Sequence, residues 1–129
     1  MLPERRTRLC GRLLLAALLL AGCGRNEIRK NAARMTGGNP DRGPALVDRY
    51  GCGTCHTISE VRGATGLVGP PLDGIARRVY LAGQLPNTAD NMIRWIRHPQ
   101  SVERGTAMPD LKVTEQDGRD LAAFLYTLR

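Results

Sequence analysis

The 129-residue sequence predicts a small all-α domain of three to five helices. Three observations carry that expectation. No segment alternates apolar and polar residues as a half-buried strand would. Three segments open with a capping residue and continue with apolar side chains at helical spacing. Large rings are scarce, with Tyr 3, Trp 1 and Phe 1, so something besides the chain's own side chains is expected to fill the middle. The length excludes a multi-domain enzyme. Hydrophobic residues at 42% and charged residues at 24% exclude wholesale disorder and a multi-span membrane protein.

Residues 1–22 read as a signal peptide. Arg5, Arg6, Arg8 and Arg12 precede an apolar run over residues 13–21, far short of the roughly 20 residues that a spanning helix needs. The run ends in Leu20-Ala21-Gly22-Cys23, which resembles the lipobox of bacterial lipoproteins. That resemblance implies lipidation of Cys23 at the mature N-terminus, against the plainer reading of an ordinary cleaved signal. Four arginines and one glutamate in this segment account for three of the chain's +7 charges and leave +4, dispersed, for residues 23–129. No basic run interleaved with aromatics remains, so nucleic-acid binding is not expected. Residues 23–38 are polar and basic, with Ile28 and Met35 isolated, and read as a flexible tether between the lipid and a domain over residues 39–129.

The first helix of that domain opens at Asn39-Pro40-Asp41, with cap, N1 proline and first-turn acid in order, although Pro44 can shift its start by a turn. Gly43, Leu46 and Val47 form its apolar side. Asn87 or Thr88 opens the second, which carries Met92, Ile93, Trp95 and Ile96 and stops at Pro99. Thr114 to Asp117 is a near capping box for the last, with Leu121, Phe124, Leu125 and Leu128 on one face.

Between the first two helices lies Cys52-Gly53-Thr54-Cys55-His56. A C-x-x-C-H string is the attachment signal for c-type haem: two thiols three residues apart add to the two vinyl groups of one haem, and the next residue offers an imidazole to the iron. Other readings fit less well. A structural zinc site needs further Cys or His ligands, and only His98 remains in the domain. A thioredoxin-like dithiol needs a preceding strand where this sequence reads as helix. A disulfide would close a very short loop and leave His56 without a role.

Three motifs occur in a familiar order: Tyr50-Gly51-Cys52-Gly53-Thr54-Cys55-His56, Gly69-Pro70-Pro71-Leu72-Asp73-Gly74 and Thr106-Ala107-Met108-Pro109. Over residues 39–129 the chain resembles the class I, mitochondrial-type bacterial cytochromes c. The resemblance implies a small cytochrome c fold, its helices wrapped around one covalently bound haem c held through Cys52 and Cys55. It also implies His56 as proximal ligand, hydrogen-bonded to the Pro70 carbonyl, and Met108 as sixth ligand. Among the other sulfur and imidazole groups, Met35 lies in the tether, Met92 has core spacing, and His98 sits at a helix end facing water. The family often uses a residue near Trp95 to contact a haem propionate; here packing at the haem is an equal expectation for Trp95, and Arg77, Arg78 and Arg94 read as solvated. Phe124 is expected to cross the first helix at Gly43.

An iron with both axial positions filled favours one-electron transfer over substrate activation. The expected function is therefore a periplasmic, lipid-anchored electron carrier and not an enzyme. As a monomer or complex subunit, it would serve redox partners such as a terminal oxidase, a quinol-oxidising complex or a dehydrogenase. The alternatives are a haem sensor or catalytic haem protein with a displaceable sixth ligand, and a haem-free assembly lipoprotein.

Overall fold

Ala32 and Thr36, in the segment read from sequence as a flexible tether, are each only 2% exposed. The structure, a computed structural model, describes residues 24–129. The signal peptide over residues 1–22 and the lipidation at Cys23 lie outside the described residues. Residues 24–36 form a helix, α1, which corrects the tether reading. Its inner stripe is Ile28, Ala32 and Thr36, one apolar residue followed by one small and one polar, so hydropathy periodicity does not reveal it. One of the partners that hold it lies far away in sequence. The Arg119 guanidinium donates to the Thr36 carbonyl at 3.2 Å, and Arg29 pairs with Asp41. Among the described residues no helix is long and apolar enough to cross a membrane.

The Asn39 side chain accepts from the Asp41 N–H at 2.9 Å and caps a 3-10 turn over Pro40–Arg42. Helix α2 then runs over Gly43–Tyr50 with Pro44 in its first turn, the one-turn shift that this proline predicts. Gly51 closes α2 at φ 70°, its N–H donating to the carbonyls of Val47 and Asp48, a left-handed cap that glycine adopts without strain. Thr88 caps α3, Ala89–Arg97, by accepting from the Asn91 N–H. Pro99 both stops α3 and starts a further short helix, α4, Pro99–Val102. Thr114 caps α5, Glu115–Leu125, through the Asp117 N–H.

The described residues are helix-rich but not all-α. Tyr80–Leu81 (β1) pairs antiparallel with Leu85–Pro86 (β2), Tyr80 opposite Pro86 and Leu81 opposite Leu85. Strands of two residues are too short to show an alternation, so the sequence carries no signal for them.

Helix α5 is the centre of the packing, touching α2, α3 and the turn over Pro40–Arg42. Phe124 meets α2 at Gly43, where an added Cβ would stand 2.0 Å from the Phe124 Cβ. Beside this crossing lies a buried polar cluster. Asp120, 0% exposed, accepts from the Asn39 N–H at 2.7 Å, from Arg42 at 2.6 Å and from Gln116 at 3.0 Å. It ties the start of α2 to α5. Asp120→Ala is expected to destabilise the protein by about 2 kcal/mol in urea unfolding, chiefly because the Asn39 N–H loses its acceptor. The half-exposed Arg42 can turn to water, which limits the loss.

One turn earlier, Asp117 accepts from the Tyr50 hydroxyl at 2.7 Å and pairs with Arg42 at 3.2 Å. The Tyr50 hydrogen bond, with Thr114, Arg49 and Arg42 adding to it, holds this carboxyl below its ordinary value of about 3.8. A lowered folded-state value stabilises the fold above the unfolded value, and that contribution is lost as pH falls through the folded one. Wild type is therefore expected to exceed Asp117→Asn in unfolding free energy at pH 7, with the gap closing at pH 3 and below.

Candidate functional site

Cys52–Thr54 form a 3-10 turn directly after Gly51, and the Cys55 and His56 N–H groups both donate to the Cys52 carbonyl, at 3.2 and 3.0 Å. Positions i, i+3 and i+4 of one helical turn share a face, so both thiols and the imidazole turn the same way. They face a cavity of about 360 Å³. Its other walls come from α2 through Val47, from α3 through Met92, Trp95 and Ile96, and from α5 through Leu121 and Leu125. Met108 and Pro109 close it from the loop before α5, and Pro70 and Leu72 from the proline loop. Thus Cys52, Cys55, His56, Pro70, Trp95 and Met108, separated by up to 56 positions, line one space.

The His56 Nδ1 lies 2.7 Å from the Pro70 carbonyl oxygen. A carbonyl can only accept, so Nδ1 carries the proton and the Nε2 lone pair is left free to ligate a metal. The proline loop reaches the ring because residue 69 has no side chain: a Cβ on Gly69 would stand 2.3 Å from the imidazole Cε1. Sequence reasoning used Gly69 only as part of a motif. The signal for its role was its place next to a residue whose carbonyl must touch a histidine.

Met108 is held from both sides. Its N–H donates to the Thr106 hydroxyl at 3.2 Å, and its carbonyl accepts from the Gln100 side chain of α4 at 2.7 Å. Met92 is fully buried, matching its core spacing, and also reaches the cavity wall. His98 is exposed at the C-cap of α3. Arg78, read from sequence as solvated, instead lies on the cavity wall and donates to the Pro71 carbonyl. Asn87 fixes the segment before it, donating to the carbonyls of Ile75 and Arg78 at 2.9 and 2.8 Å and accepting from the Tyr126 hydroxyl at 2.7 Å.

Helix rather than strand precedes the two cysteines, against the thioredoxin-like reading. Among the described residues no group of three or more His, Cys, Asp or Glu side chains converges as a metal site, against the zinc reading. A largely apolar cavity presenting two thiols, one imidazole with a free Nε2 and the thioethers of Met108 and Met92 fits a covalently held haem in chemistry and in donor placement.

The chain matches the cytochrome c family over residues 40–129. It belongs to that family, and it is accordingly a haem protein with covalently attached haem c, an electron carrier by class. It is also 33% identical, over 91 residues, to cytochrome c oxidase subunit 2 of Alkalihalophilus pseudofirmus. That alignment covers 69% of this chain and 25% of the oxidase subunit, so the chain spans about a quarter of the relative's length. No solved structure matches significantly.

Proposed function

We propose that the chain is a membrane-tethered, monohaem carrier that passes single electrons to a terminal oxidase from a quinol-oxidising complex or dehydrogenase. In this reading Cys52 and Cys55 hold the haem as thioethers, and His56 and Met108 are the axial ligands. The observation that carries it is the convergence of these four residues on one apolar cavity, with the His56 Nδ1 proton engaged by Pro70. Bound haem supplies one iron that exchanges a single electron between its ferrous and ferric states. The chain's part would be to offer His56 and Met108 to the iron, to exclude water with the α3 and α5 side chains, and to favour the reduced iron through the Met108 thioether.

Leu67 and Val68 are 87% and 74% exposed, and Val68 also borders the cavity. An exposed apolar patch at such a site suits the small, transient docking faces of redox partners. The likeness to an oxidase subunit favours a terminal oxidase among the candidate partners. A lipid at Cys23 would put the carrier on the periplasmic side of a bacterial membrane. It would be joined to the domain by α1, a helix of roughly 20 Å at 1.5 Å per residue, rather than by a coil.

Optical spectra of the periplasmically matured protein, oxidised, reduced and reduced under carbon monoxide, test the reading. A low-spin c-type spectrum unmoved by carbon monoxide is expected. A high-spin spectrum, or one shifted by carbon monoxide, would make the protein a haem sensor or catalytic haem protein instead. For the tether, Cys23→Ser is expected to move the haem protein from the membrane to the soluble fraction.

A further inference from the structure

The Pro70 carbonyl sits in a stretch with no backbone donor, since Pro70 and Pro71 have no N–H; Arg78 donates to the Pro71 carbonyl. The rest of the hold comes from the chain on either side. Upstream, the Gly69 N–H donates to the Cys55 carbonyl at 2.8 Å and the Gly66 N–H to the Gly53 carbonyl at 3.0 Å. Downstream, the Leu72 N–H donates to the Thr57 carbonyl at 2.9 Å. The next residue adds a side-chain latch: the Asp73 carboxylate accepts from the Ser59 N–H at 3.1 Å and from the Ser59 hydroxyl. Ser59 lies three residues after His56, so the latch spans the segment carrying the imidazole and the loop carrying its acceptor.

We propose that Asp73 and Ser59 are positioning residues that hold the Pro70 carbonyl on His56 and thereby set the donor strength of that imidazole toward the haem iron. The inference rests on His56 being the iron ligand. A strong Nδ1–H to carbonyl hydrogen bond makes the ring a better donor and stabilises the more charged, ferric iron. Loosening the latch lengthens that bond and shifts the equilibrium toward the ferrous state. Asp73 is also a negative charge, whose loss favours the reduced iron by electrostatics alone, so the two effects have to be separated. Asp73→Asn removes the charge but keeps an oxygen for the Ser59 N–H, Asp73→Ala removes both, and Ser59→Ala keeps the charge and removes the hydroxyl.

The test is a spectroelectrochemical titration of the full-length, haem-loaded protein and its three variants, with proton NMR of the His56 Nδ1–H in the reduced state. Asp73→Ala is expected to favour the ferrous form about threefold more than Asp73→Asn does, about 30 mV for a one-electron couple, and to move the Nδ1–H signal upfield. Ser59→Ala is expected to shift both readouts in the same direction by less. Equal potentials for Asp73→Ala and Asp73→Asn with an unmoved Nδ1–H signal would overturn the latch. If Asp73→Ala does not mature, unchanged readouts in Ser59→Ala overturn it in the same way. A wild type without a low-spin spectrum would overturn the ligation of His56 itself, and the latch with it.

Discussion

Met108→Ala is expected to leave haem covalently attached, because Cys52 and Cys55 are untouched, and to change almost everything else about the iron. The sixth position would open into a largely apolar cavity, with Thr106 and Glu103 on the same stretch of its wall. Met92, the other thioether at the wall, is fully buried within the core and built into α3, so it is not free to move into the vacant place. The variant should therefore lose the far-red methionine-to-iron band, turn high-spin and bind carbon monoxide to saturation, where wild type binds none. The thioether favours ferrous iron, so its removal should lower the potential, by roughly 120 mV if the ferric-to-ferrous preference changes a hundredfold. Retention of the band in Met108→Ala would mean that another side chain holds the sixth position. Gln100→Ala, which frees the Met108 carbonyl, should give a milder version, with the band kept and carbon monoxide entering slowly.

The second large effect is expected at the helix crossing. In Gly43→Ala the new methyl would overlap the Phe124 Cβ at 2.0 Å and ring atoms at 2.3 and 2.8 Å. A ring can swing aside, but a Cβ moves only with its backbone, so α2 and α5 must separate. Overpacking of this kind costs about 3 kcal/mol, and for a domain of this size that corresponds to about 15 °C in thermal melting of the haem-loaded protein. The double variant Gly43→Ala with Phe124→Ala distinguishes the two sources of the clash. Alanine at 124 retains the Cβ, so stability should not recover and the loss of the ring should add to the damage. Recovery in the double variant would show that the ring, and not the helix approach, sets the limit. Because α2 runs directly into the turn carrying Cys52 and Cys55, haem incorporation should fall in parallel.

Much of the site is legible in the sequence because its chemistry is local. Cys52, Cys55 and His56 occupy one turn, and a single turn puts positions i, i+3 and i+4 on one face whatever surrounds it. The starts of α3, α5 and the turn leading into α2 are legible for the same reason: the Thr88, Thr114 and Asn39 side chains each cap an N–H two or three residues away. The stretches that escaped depend on distant partners or are too short to have a period. Helix α1 is held by Arg119, 83 positions from the Thr36 carbonyl it contacts, and its stripe contains one strongly apolar residue. The strands β1 and β2 have two residues each. Arg78 looks like any surface arginine until the chain folds it onto the cavity wall.

By itself, then, the sequence determined the turn carrying Cys52, Cys55 and His56, the caps, the order of the three motifs and the helical class, since each is fixed by interactions within a few residues. The tertiary structure decided which of the distant groups meet. It brought Met108 and Pro70 to the cavity of His56, let Gly43 and Gly69 define two close approaches, and buried Asp120 beneath the Asn39 N–H. The physical reason is the same in each case. A hydrogen bond or a contact made across about 80 positions, as between Asn39 and Asp120, gains its energy only after the intervening chain has been ordered, and that depends on the packing of the whole domain.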